Sequence, residues 1–439
     1  MHDIRGLPMT AASSEAVAAF DHVTAGYLGF RADVGDRLKA ALAIDPECPL
    51  LQCTRGYFTL LLSARRMVGR AREALAAARS AAATHGVTPR EAAHLAALEA
   101  WCAGDAEQAL RHWDHILAEH PRDVLALKLG HFWHFYLGRS RAMLDAVARA
   151  LPAWDESVPG HGYVKGLHAF GLEECGDYAA AEQAGRRAVE INPADVWAIH
   201  AVAHVLEMQD RPDEGIAWIK SREADLPGIN NFRFHVWWHR CLFHLERGEY
   251  DPVLDLYDRE VRAESTGDYL DICNAASLLW RLEDLGVRVG GRWAELAGQS
   301  AHRIDDHMLV FSDAHFMMAL AGGGNIEDAR RMLDSARSYA RTTGETEARV
   351  MGEVGAAVCE AVLAHREGRF GRVVELLTPV RDRIIDIGGS HAQRDLFDKL
   401  LISACLADGR GRQARELLAE RLRQRPGNRW AQRALAKAA

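Results

Sequence analysis

Apolar residues along this chain recur with a helical period, and no segment of useful length alternates as a strand would. Ile199, Val202 and Leu206, for example, fall on one stripe that can pack against a neighbouring helix. Short β-branched runs such as 287–289 are too brief to anchor a sheet. The helical segments carry regular punctuation. One helix ends at Gly, often followed by Asp, and the next ends at a Pro 17 residues later, as in Gly29 with Pro46, Gly104 with Pro121, Gly176 with Pro193 and Gly409 with Pro426. Asp210 takes the place of the glycine before Pro227. Glycine supplies the permissive turn between two antiparallel helices, and proline stops the second helix before the next pair begins. Ala109 and Ala180 are small where the paired helices must approach.

Pro193 and Pro227 are 34 residues apart, the full tetratricopeptide period. Weaker copies around Gly138, Gly248, Gly324 and Gly368 extend the pattern to roughly nine to eleven hairpins. The spacing therefore predicts an all-α chain of tetratricopeptide-like antiparallel helix hairpins, forming one continuous right-handed superhelical domain over 1–439. Candidate interruptions are 151–164, 265–271, 286–292 and 386–390, none of which reads as a flexible linker. The basic segment 429–439 is expected to form a solvated cap.

Composition narrows the function classes. Apolar residues make up 49% of the 439, enough for a sizeable core. Lys and Arg total 53 against 61 Asp and Glu, a formal charge of -8, which gives no electrostatic footprint for nucleic acid or acidic membranes. Eight cysteines are scattered without a C-x-x-C pair, as expected of reduced, buried thiols. With no secretory leader pattern and no apolar run of spanning length, the expected location is the cytoplasm.

Histidines change the picture. With the turn residue Asp210 set at repeat position 15, His200, His204 and Glu207 fall at positions 5, 9 and 12 of a first helix, within about 60° of one another on the inner, concave surface. The following first helix carries His235 and His239 at the same i, i+4 spacing. Neighbouring helices stack about 8–10 Å apart, so the two pairs can converge. Four neutral imidazoles with a carboxylate nearby suit a divalent transition metal such as zinc, with iron, nickel and manganese as alternatives; the H-E-x-x-H signature of zincins is absent. The i, i+4 spacing also suits plain packing beside Trp237 and Trp238.

Around these four metal-ligand candidates, Glu207, His168 and His315 are candidate acid/base or ligand groups. Trp238 is a candidate aromatic wall, and Lys165, Arg233 and Arg394 can pair with a carboxylate or phosphate. His391 follows Gly388, Gly389 and Ser390, where Ser390 is a plausible N-cap and free backbone N–H groups can hold an anion. Cys175 and Cys273 are weaker nucleophile candidates, more simply read as buried thiols.

The segments 161–170, 200–207 and 235–239, joined by 271–277, 313–316 and 390–395 in the C-terminal half, resemble the tetratricopeptide repeat protein 38 family over nearly the whole chain. The resemblance implies an all-helical repeat fold; it brings no catalytic residue. Two functions follow from the residues themselves. One is a His-rich concave pocket for a small molecule or metal, of hydrolase or lyase type. The other is a scaffold whose groove holds a peptide or protein. Convergence of three or more of the imidazoles within about 5 Å of one point separates the first from the second.

Overall fold

A computed structural model describes residues 1–437 of the chain. Successive helices pair as hairpins, from Ser14–Leu28 with Val34–Ile44 to His391–Ala407 with Gly411–Gln424, followed by a last helix, Arg429–Lys437. Among the described residues there is no strand, only two isolated bridges, His2 with Pro8 and Arg31 with Ile229. The fold is thus an all-α, tetratricopeptide-like array of hairpins. No helix of the described residues is long and apolar enough to cross a membrane.

The two helices of a hairpin differ in how they meet water. Second helices are amphipathic: along Ile326–Thr342 the buried residues are Ala329, Met332, Leu333, Ala336 and Tyr339, a single stripe at helical spacing. Some first helices are buried all round. Every residue from Val196 to Leu206, and from Val310 to Ala321, is hidden. A helix apolar on all sides needs neighbours on all sides, and here stacked hairpins supply two sides and the opposite half of the array supplies a third.

Punctuation works much as the residues predict. The left-handed turn residue falls on Gly104, Gly138, Gly176, Gly248, Gly324, Gly368 and Gly409, and on Asp210 at φ 54°. The first repeat differs: Gly29 has φ -82° and Phe30 takes the left-handed conformation at φ 50°. Two residues after the stopping prolines, Asp123 and Asp195 cap the next helices by accepting from Ala126 N and Ala198 N.

The array curves until its halves meet. Thr346 N–H donates to Gly104 O (2.9 Å), and Arg65 grips Glu345 through both terminal nitrogens at 2.9 Å. Arg303 reaches Ser63 O, and Arg425 reaches Asp210 at 2.7 Å. The concave surface is therefore interior. One contiguous apolar cluster runs from Met9 to Ala414.

The terminal helix departs from the expected solvated cap. Trp430, Ala431 and Ala434 are buried, with Lys399 and Arg421 against the Trp430 ring. Residues 438 and 439 of that segment lie outside the described residues.

Candidate functional site

The helices Val196–Met208 and Phe232–Arg247 lie side by side as neighbouring first helices, and their i, i+4 histidines face one another. His204 Nε2 is 2.8 Å from His200 Nε2, which is 3.1 Å from His235 Nε2. The His204 and His239 rings are 4.3 Å apart between centroids. One ligating nitrogen from each of the four lies within 4.8 Å of the others, and all four residues are buried.

The outer nitrogens explain why the inner ones are chemically unusual. His235 Nδ1 contacts Asn274 Oδ1 at 2.8 Å and His239 Nδ1 contacts Glu207 Oε2 at 3.1 Å. Both partners are acceptors, so both Nδ1 atoms carry a proton and both Nε2 atoms are left facing inward. His239 Nε2 has no hydrogen-bond partner. His200 Nε2 faces two other Nε2 atoms and, with at most one proton to give, satisfies only one of them. Burial, reinforced by the neighbouring imidazoles, pushes His200, His204 and His235 well below the ordinary histidine range, so they are neutral. Converging imidazole nitrogens, anchored behind by a carboxylate and an amide, have the chemistry of residues that could hold a metal ion.

Aromatic rings brace the cluster. Trp238 stacks on His235 (15° between planes, centroids 5.1 Å apart) and donates Nε1–H to Ser277 Oγ at 3.0 Å. It supports a histidine and does not line the cavity, contrary to the expected ligand wall. Phe170 stacks on His200 from the preceding hairpin.

Beside the cluster lies a cavity of about 200 Å³. His200 and His235 border it, with walls of Tyr27, Phe30, Phe132, Trp197, Phe232 and Tyr269. Polar groups at its edge are Asn230, Asn231, Asp268, Ser390 and Gln393; among the described residues no Lys or Arg lines it. Lys128 stands behind Phe30, its Nζ 3.7 Å from that ring's centroid and donating to Tyr27 O at 2.6 Å.

The remaining sequence candidates stand elsewhere. His168 is half-buried and lies about 200° around its helix from the inward-facing Phe170, so it turns away from the cluster. Lys165, on that same helix, is half-buried and outside the cavity lining. His315 is fully buried behind Phe311, with Nδ1 on Phe311 O at 2.8 Å, and burial pushes it down to about 4. Arg233 is held outward by Glu264 at 2.7 Å. Ser390 caps its helix as expected, but the anion at that N-terminus is the protein's own: His391 N–H donates to Glu174 Oε1 at 3.0 Å, and Arg394 Nη2 to Glu174 Oε2 at 3.3 Å. His391 and Arg394 therefore close the array on Glu174 and are not free for a substrate anion. Cys175 is exposed at a helix end, and Cys273 is buried with its thiol pushed well up by burial.

Sequence reasoning missed Asn274, Glu173 and the aromatic lining. For Glu173 a signal existed: it precedes the turn residue Gly176 by three, as Glu207 precedes Asp210, so both occupy repeat position 12.

No family profile matches the chain. Solved structures similar to it include the tetratricopeptide-repeat domain of P58(IPK) (13% identity over 80% of this chain and 97% of that one, TM-score 0.23). A human IFIT1 dimer with PPP-AAAA is similar at 12% identity over 95% of this chain and 96% of that one, TM-score 0.36. Naa15/Naa10 bound to HypK-THB is similar at 11% identity over 97% of this chain and 66% of that one, TM-score 0.25.

Proposed function

We propose that His200, His204, His235 and His239 hold a divalent transition metal of the zinc class, and that the adjoining cavity brings a small molecule to the side of this centre bordered by His200 and His235. The observation that carries the reading is the convergence of the four imidazoles, with the Nδ1 protons of His235 and His239 committed to Asn274 and Glu207. At about 200 Å³ the cavity is below the ~300–1,000 Å³ typical of drug-sized ligands, so its occupant is small. Aromatic walls without a cationic side chain favour an uncharged molecule over an anion. The reaction class that fits is metal-assisted hydrolysis or elimination. Glu207 serves as the carboxylate behind His239, orienting it and raising its basicity.

The alternative of a peptide- or protein-binding scaffold needs an open inner face, and here that face is covered where Arg65, Arg303, Arg394 and Arg425 tie the halves together.

Plasma mass spectrometry on untagged protein purified without chelator, then dialysed against zinc, tests the reading. Bound metal that falls in His239→Ala and His235→Ala, with helicity retained, supports it. Protein that stays metal-free after dialysis sinks it.

A further inference from the structure

His204 has a second nitrogen, and it faces a second set of donors. Glu173 Oε2 lies 3.8 Å from His204 Nδ1, and neither side chain is exposed at all. Both oxygens of Glu173 and His204 Nδ1 lack a donor, and burial beside the Glu174 carboxylate pushes Glu173 well above the usual carboxylate range, so that without a cation it holds a proton against Glu174. That combination is costly, because a buried polar group without a partner loses its hydration and gains nothing in return. At 3.8 Å the two are too far apart for a hydrogen bond. The separation does match two metal-ligand bonds of about 2.0–2.2 Å each, meeting at a wide angle.

Glu174 completes the set: Glu173, Glu174 and His204 each bring one ligand atom within 4.8 Å of the others, all buried. Glu174 is fixed in place by His391 N–H and Arg394, and these take two of the roughly four lone-pair positions a carboxylate offers. Two ionised carboxylates against one guanidinium leave a net negative charge, which draws a cation into the site.

We infer that the protein has a second divalent-cation site, made by Glu173, Glu174 and His204 Nδ1, so that the His204 imidazole bridges two metal ions. The bridge rests on the four-histidine reading above, since it needs His204 Nε2 in the first site. Occupying both ring nitrogens removes the imidazole's one N–H proton to solvent, and the resulting imidazolate binds both ions. Their separation across the ring is roughly 6 Å, two metal-nitrogen bonds plus the width of the ring. The second site explains why a first helix otherwise built for packing carries two adjacent buried carboxylates at its end.

Metal-stripped protein dialysed against zinc and assayed by plasma mass spectrometry should bind two equivalents, and Glu173→Gln should bind one. One equivalent in both proteins overturns the second site and leaves the first standing. Two in both removes Glu173 from the site, and none in either overturns both readings. The wild-type protein loaded with copper(II) gives a test that does not depend on a variant folding. Ions bridged by an imidazolate couple magnetically, so the paramagnetic resonance signal at two equivalents should fall below twice the signal at one. Two additive signals overturn the bridge.

Discussion

Asp123 and Glu347 are both carboxylates hidden from water, and they answer to that burial in opposite ways. Burial works against ionising Asp123, but His94 at 3.0 Å and Arg90 at 2.6 Å outweigh it and hold the group well below the usual carboxylate range. Burial of Glu347 is offset by the Val310 N–H at 2.8 Å and, more weakly, by the Arg349 charge; with Asp313 and Glu345 nearby the group is pushed up to about 8. The folded state therefore holds the Glu347 proton more tightly than the unfolded chain does. Stability must fall as pH rises from about 4.5 to about 8, by up to ~1.4 kcal/mol per unit from this group. Glu347→Gln removes that slope, so in urea titrations the variant should gain on the wild type between pH 5 and pH 8. A difference that is the same at both pH values contradicts the assignment. None of this was legible in the sequence, where Glu347 is one acidic residue in a polar stretch; its environment comes from a first helix 37 residues away.

At the scale of the element, the repeat punctuation was readable because local physics dictates it. A turn between paired helices needs a left-handed residue, and Gly or Asp at a fixed offset betrays it. The histidine register was readable for the same reason: i, i+4 spacing on one helix and a near-repeat spacing between helices set the four rings on one face. What the turn glycines also do was hidden. Gly176, at φ 83°, has open space where a Cβ would stand, whereas at Gly138, φ 66°, a Cβ would lie 2.0 Å from Ile385 O in the opposite half of the array. Gly176→Ala thus costs only the left-handed strain, about 1–2 kcal/mol. Gly138→Ala must in addition push two backbones apart. Thermal melts of the two variants should show the larger loss at Gly138, and equal losses would mean that the halves do not pack so closely there.

At the scale of the molecule, the histidine centre and the cavity depend on different things. The four histidines come from two adjacent hairpins, and their anchors Glu207 and Asn274 lie on one of those hairpins and on the next, so the centre is local. The cavity draws on residues from Gly26 to Gln393 and exists only because the array closes. That closure is what the sequence could not disclose, since contacts such as Arg65 with Glu345 span 280 residues and repeat with no period. The two dependences separate experimentally. Arg65→Ala removes the grip on Glu345 and on Asp306 O, next to the Thr346 N–H bond to Gly104 O and the Ala106 N–H bond to Thr346 Oγ1. Amide hydrogen exchange at Ala106 and Thr346 should accelerate in this variant while bound metal per chain stays at the wild-type value. If metal is lost together with protection at the seam, the centre depends on closure and is not a property of its own hairpins. If neither changes, the seam is held by the remaining inter-half contacts, Arg303 to Ser63 foremost, and Arg65 is dispensable to the closed state.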